Sequence, residues 1–151
     1  MCFSKKMNNV NIKEQLRHAL ENNNESWKYA WQINHASKAE LQKLQSHINK
    51  IIVSIEGKKD GHQRELIKVL LKLKLNDDQL SQLWDICLHI WLDMKKQSSV
   101  RISAFNILVN TAKKFKPLSE ELLRLTEEKH VSSLSEGIKN STYKNLMLEI
   151  I

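Results

Sequence analysis

Apolar residues recur along this chain at intervals of three, four and seven, and short polar stretches interrupt them. That rhythm predicts helices and no strands. Ile12, Leu16 and Leu20 open the first helix, which stops in Glu21-Asn22-Asn23-Asn24, and residues 1–11 ahead of it read as a mobile tail. A second helix is expected over 25–35. Ser37-Lys38-Ala39-Glu40 forms a capping box, with Ser37 at the N-cap and Glu40 three residues inside. The single helix it predicts places Leu41, Leu44, Ile48, Ile51, Ile52 and Ile55 on one face and ends in Gly57-Lys58-Lys59-Asp60-Gly61.

The pattern resumes over 61–74 with Leu66, Ile67, Leu70, Leu71 and Leu73. Asn76-Asp77-Asp78-Gln79 is a second capping box, ahead of a regular stripe of Leu80, Leu83, Trp84, Cys87, Leu88 and Trp91. The next helix starts near Ser98 or Ser99 and is apolar on two faces. Val100, Ala104, Ile107 and Leu108 line one, and Ile102, Phe105, Val109 and Ala112 line the other. Such a helix belongs in the middle of a stack. Lys116-Pro117 ends it, because proline disfavours helix at the residue before it. Ser119 is expected to cap a helix to about 129, and a last helix begins near Ser135.

These helices repeat. Trp27, Arg64 and Arg101 lie at steps of 37, as do Trp31, Lys68 and Phe105, and also His35, Lys72 and Val109. Leu41, Leu44 and Ile52 return as Leu80, Leu83 and Trp91 at steps of 39, and Leu44 and Leu83 continue to Leu122. Each period holds two helices that cannot bury their apolar faces alone and must stack on neighbours. The expected fold is all-α, a right-handed α-solenoid of about three and a half helix pairs. It forms one domain over 12–151.

Composition narrows the function classes. One proline and three glycines suit long helices with short turns. No apolar run reaches the roughly 18 residues a membrane span needs, and no signal-like segment follows Met1. With Cys2 in the tail and Cys87 in a helix stripe, no disulfide framework arises, and the protein is expected in the cytoplasm. The net charge of +7 points toward an anionic partner. Many lysines nevertheless sit where helix C-termini favour cations, as Lys72, Lys74, Lys95, Lys96, Lys113 and Lys114 do.

Ser99-Val100-Arg101-Ile102-Ser103-Ala104-Phe105-Asn106-Ile107-Leu108 resembles the second-helix signature of HEAT repeats, a Val-Arg pair followed by a small residue and then leucine. The stretch 61–146 is similar to small bacterial proteins of HEAT-like, armadillo-type fold. His62-Gln63-Arg64-Glu65-Leu66, Trp84-Asp85-Ile86-Cys87-Leu88 and Leu134-Ser135-Glu136-Gly137-Ile138-Lys139 are its closest markers. The likeness is weaker over 25–56. It implies a right-handed stack of helix pairs and no particular activity. Two departures stand out: a period below the usual 40–47 or so, and no valine before Arg64.

In such stacks the second helices line the concave side. The ladders Trp27–Arg64–Arg101 and Trp31–Lys68–Phe105, with Lys72 on the third, would then mix aromatic rings with cations along a groove. That surface could hold an acidic, apolar-anchored peptide, or stack bases and pair phosphates. The alternative is that these positions pack between repeats, with Arg101 structural. Lys58-Lys59 and Lys95-Lys96, again 37 apart, form a secondary candidate edge in successive turns; as ordinary solvated turn residues they would do nothing further.

Chemistry finds little support. Cys87 has no histidine on its face, and Asp85 with His89 reads as a surface pair. None of the six histidines has a zinc-like spacing to another ligand, and no Gly-rich phosphate loop or nucleophile elbow occurs. A DNA-glycosylase-like enzyme built on such repeats would need a carboxylate in a basic aromatic cleft, and Asp85 and Asp93 fall on a first helix, away from the presumed groove. The reading is therefore a non-catalytic binding module. It needs no metal or cofactor, and neither a membrane nor a small-molecule substrate is expected. An acidic protein or peptide is the favoured partner and nucleic acid the alternative.

Overall fold

The computed structural model describes residues 11–151, and every regular element among them is helical. The elements are α1 (Ile12–Leu20), α2 (Ser26–Asn34), α3 (Lys38–Gln42), α4 (Ile48–Ser54), α5 (Asp60–Leu71), α6 (Asp77–Leu92), α7 (Ser98–Lys114), α8 (Pro117–Arg124), α9 (Glu128–Val131), α10 (Glu136–Ile138) and α11 (Lys144–Ile150). Among the described residues no helix is long and apolar enough to cross a membrane. The expected tail and Cys2 lie outside the described residues, except for Asn11. That residue is not tail but the N-cap of α1, its Oδ1 accepting from the Glu14 backbone N–H at 2.9 Å.

Local signals behave as their chemistry dictates. Ser37 Oγ accepts from the Glu40 N–H at 3.2 Å. The box at α6 closes reciprocally, with Asn76 Oδ1 accepting from Gln79 N–H at 2.8 Å and Gln79 Oε1 from Asn76 N–H at 2.9 Å. Gly57 takes φ +81°, a conformation L side chains resist, and turns the chain out of α4. Pro117 is the first residue of α8, where its missing N–H costs nothing.

Four further expectations need correction. The helix predicted from Ser37 to Ile55 is broken into α3, a 3₁₀ turn at Gln45–His47 and α4. Its six apolar positions are all buried as the stripe requires, but the Gln45 side chain leaves the helix to hydrogen-bond both the N–H and the carbonyl of Lys74. Ser119 does not cap α8; its hydroxyl instead donates to the Ala112 carbonyl at 3.2 Å. The helix expected to run to about residue 129 divides into α8 and α9, and the final helix contains a π turn at Lys139–Tyr143 between α10 and α11.

The chain divides into two compact units, meeting at Gln79 and Leu80 within α6. In the first, α1 and α2 pack as a pair, α1 also meets α4, and α5 packs on both α2 and α4. Ile33, Leu44, Ile48, Ile51, Ile55, Leu66 and Ile67 fill its core. In the second, α7 packs against α8, α10 and α11. Both of its apolar faces are buried, as its two-sided pattern requires. Trp91 and Phe105 pack with tilted rings, centroids 4.5 Å apart, and Tyr143, carried by the π turn, lies 5.3 Å from Phe105. Cys87 is wholly buried in the α6 stripe, which pushes its thiol pKa well up and leaves it unreactive.

Trp84, 8% exposed in α6, is a core ring and Trp27, 40% exposed, is not. Trp84→Ala is expected to cost about 3–5 kcal/mol in urea unfolding, and Trp27→Ala less than about 1 kcal/mol. Equal effects would contradict this division of the tryptophans.

Candidate functional site

The predicted ladders separate into two kinds of environment. On α2, Trp27 and Trp31 are 40% and 41% exposed, and His35 follows one turn later on the same face. The His35 ring lies against Trp31 at a centroid distance of 4.1 Å, while its Nδ1 pairs with the Trp31 carbonyl at 2.8 Å. On α5, Lys68 is exposed, Lys72 at the C-cap is exposed, and Arg64 is partly exposed. α2 packs on α5, and Lys72 Nζ reaches the carbonyl of Asn34 at the end of α2.

The other two positions are not surface. Arg101 and Phe105 are both fully buried, so neither can touch an outside partner. Phe105 is one ring of the Trp91–Tyr143 cluster. The Arg101 guanidinium donates through Nε to the Trp91 carbonyl at 2.9 Å, through Nη1 to Ser133 Oγ at 2.9 Å and through Nη2 to the His130 carbonyl at 2.5 Å. It also lies over the Trp91 ring, 4.7 Å from its centroid. Burial holds its pKa below the ordinary arginine value, and Asp93 opposes that shift. Arg101 is thus structural, with two backbone carbonyls and the Ser133 hydroxyl as its partners.

What joins α2 to α5 is a buried polar cluster that the residue pattern did not expose. Asn34 Nδ2 donates to the Glu65 carbonyl and to Glu65 Oε2, both at 2.8 Å, and Lys72 Nζ donates to the Asn34 carbonyl at 2.6 Å. Glu65, 3% exposed, faces Arg64 Nη2 at 3.4 Å. A carboxylate so buried survives because it is paired and hydrogen-bonded. It is spent on structure, tying the end of α2 to α5. Its sequence signal was a charged residue one position before the apolar pair Leu66-Ile67, on a helix otherwise patterned for burial.

The turn lysines are less coherent. Lys58 is half-buried, and burial lowers its pKa, while Lys59 is the N-cap of α5. Lys95 is exposed and Lys96 is partly covered, in the turn before α7. Elsewhere, an open cleft of about 540 Å³ beside α1 is lined by Asn11, Ile12, Lys13, Glu14, Arg17 and Lys43. Its carboxylate, Glu14, is already paired with Arg17, which lowers its pKa. No ladder residue lines it. Among the described residues no group of three or more His, Cys, Asp or Glu side chains could hold a metal ion.

His62 also sits in this unit, 5% exposed, with its Nε2 paired to the Ala19 carbonyl at 2.6 Å. Burial pulls its pKa below 6.5, the Ala19 bond opposes that, and nearby Lys58 adds to it. The unfolded chain therefore takes up a proton at His62 before the folded one does. Its contribution to stability is complete above about pH 6.5 and is lost as the pH falls through the depressed folded value. His62→Gln, which keeps a donor for Ala19, should flatten the loss of urea stability between about pH 7.5 and about pH 5. An unchanged pH profile would remove His62 from that role.

Residues 2–150 match the family model of the HEAT repeat domain. No curated protein matches the chain, and no solved structure does.

Proposed function

The chain belongs to the HEAT repeat family, and on that premise we propose that it is a non-catalytic module that docks an acidic, apolar-anchored protein segment on the α2–α5 face of its first unit. Repeats of this family generally mediate protein–protein interaction and are typically scaffolds rather than enzymes. One observation carries the reading: Trp27 and Trp31 are exposed in a chain whose other two tryptophans, Trp84 and Trp91, are buried. Two large rings left in water on one helix, in a unit whose α5 also exposes Lys68, fit the anchor-and-charge pattern of a binding surface. Arg64 belongs to this surface only in part, since it also serves Glu65.

An acidic segment fits better than nucleic acid. With Arg101 and Phe105 removed from the surface, the cations left on this face are few, and a phosphate backbone needs a dense basic stripe. The buried free thiol of Cys87 suits a reducing cytoplasm. We read 12–151 as one repeat domain, because α6 runs through the division between the two units and the family match spans both.

The test follows tryptophan fluorescence while a synthetic peptide of alternating glutamate and leucine turns is titrated, with oligothymidylate in parallel. Trp31→Ala should weaken peptide binding by about 2 kcal/mol or more, roughly thirtyfold, and Lys68→Glu by about tenfold. The salt dependence should stay shallow. Tighter binding of oligothymidylate, with log K falling at about −0.7 per phosphate contacted, would favour the nucleic-acid reading. If Trp31→Ala and Lys68→Glu leave peptide affinity unchanged, the face is wrong, and Lys58, Lys59, Lys95 and Lys96 become the better candidates.

A further inference from the structure

The same surface raises the question of which acidic segment fits it, and this chain carries one. Residues 75–94 hold Asp77, Asp78, Asp85 and Asp93 and no lysine or arginine, within a chain of net charge +7. Most of that stretch is the 16-residue helix α6, with Asp93 just past its end. Its buried stripe leaves a second face in water, where Asp78, Asp85 and Leu92 follow one another at steps of seven and are all exposed. Leu92 is 37% exposed, at the C-terminal end of the helix. The row runs about 21 Å along the helix axis, somewhat longer than the roughly 18 Å of the 12-residue α5. It offers carboxylates followed by an apolar residue, the complement of lysines beside exposed rings. The other acidic stretch, Glu120, Glu121, Glu127 and Glu128, is interrupted by Arg124, and Glu127 is paired with Lys129 at 3.5 Å.

Resting on the docking reading above, we propose that the partner is a second copy of this chain. The acidic face of α6 in one molecule seats on the Trp27–Trp31 and Lys68 face of the next, with Leu92 against the rings and Asp85 near Lys68. A helix laid on two helices buries less than the roughly 800 Å² per partner of a stable interface, so the association is weak and concentration-driven. Its dependence on opposite charges makes it weaken with salt.

Sedimentation equilibrium of the full chain from about 10 μM to about 1 mM tests this, with far-ultraviolet melts verifying that each variant folds. The wild type should self-associate, and less so at high salt. Lys68→Glu and Asp85→Lys, both exposed mid-helix changes, should each lower the association constant at least about tenfold. The double variant, in which each molecule again presents opposite charges, should recover it. A wild type that stays monomeric throughout overturns the proposal. So does association that Asp85→Lys leaves unchanged, or a double variant no better than the singles. If the chain is monomeric while the glutamate–leucine peptide still binds in a Trp31-dependent way, self-docking is wrong and the docking face stands. If neither occurs, both fail.

Discussion

Short helices leave backbone carbonyls unpaired at their C-terminal ends, and in a fold made of short helices those ends are numerous and partly buried. Three of the buried polar side chains, His62, Gln63 and Arg101, answer that constraint, and the exposed Lys72 and the Trp91 indole do the same. His62 pairs with Ala19 at the end of α1, and Lys72 with Asn34 at the end of α2. Gln63 donates to Ile55 at the C-cap of α4, at 3.0 Å. Arg101 reaches Trp91 at the end of α6 and His130 in α9, and the Trp91 indole donates to Leu125, the C-cap of α8, at 2.8 Å. Apolar contact supplies most of the driving force, at about 1.5–3 kcal/mol per buried Leu or Ile side chain. The polar ties decide which helix end sits beside which helix.

That constraint explains why one repeat position can have two fates. Arg64 and Arg101 are 37 residues apart and both lie in the first half of a long helix. Arg101 meets two backbone carbonyls and the Ser133 hydroxyl, which its planar group of donors satisfies at once, and it is buried completely. In the first unit the carbonyl-pairing task falls to His62 and Gln63, and Arg64 is left partly in solvent beside Glu65. Phe105 and Lys68 differ in the same way. α7 is covered on both faces, whereas α5 leaves the Lys68 row uncovered.

The candidate surface follows from that asymmetry. Trp27 and Trp31 remain partly exposed because the buried positions of α2 are Ser26, Ala30, Ile33 and Asn34, which places the rings on the flank of the buried side. The Asn34–Glu65 pair fixes the end of α2 against α5. A binding face built on two helices with a hydrogen-bonded seam loses little conformational freedom when a partner arrives.

The sequence by itself determined what depends on neighbours three, four or seven residues away. The helices, the caps at Ser37 and Asn76, the left-handed turn at Gly57, the core stripe ending at Trp91 and the two-sided burial of α7 are all effects of that range. The repeat, and with it the family, was legible for the same reason. The tertiary structure alone decided which rungs of each ladder reach solvent, and so which residues can bind. Glu65 meets Asn34 31 residues away, Arg101 meets His130 across 29, and Gln45 breaks its own helix for Lys74, also 29 residues distant. Those partners share no periodicity with the residues they satisfy. A ladder read at steps of 37 assigns equal environments to positions that the surrounding helices make unequal. Burial is a property of what packs against a residue, and no local pattern contains it.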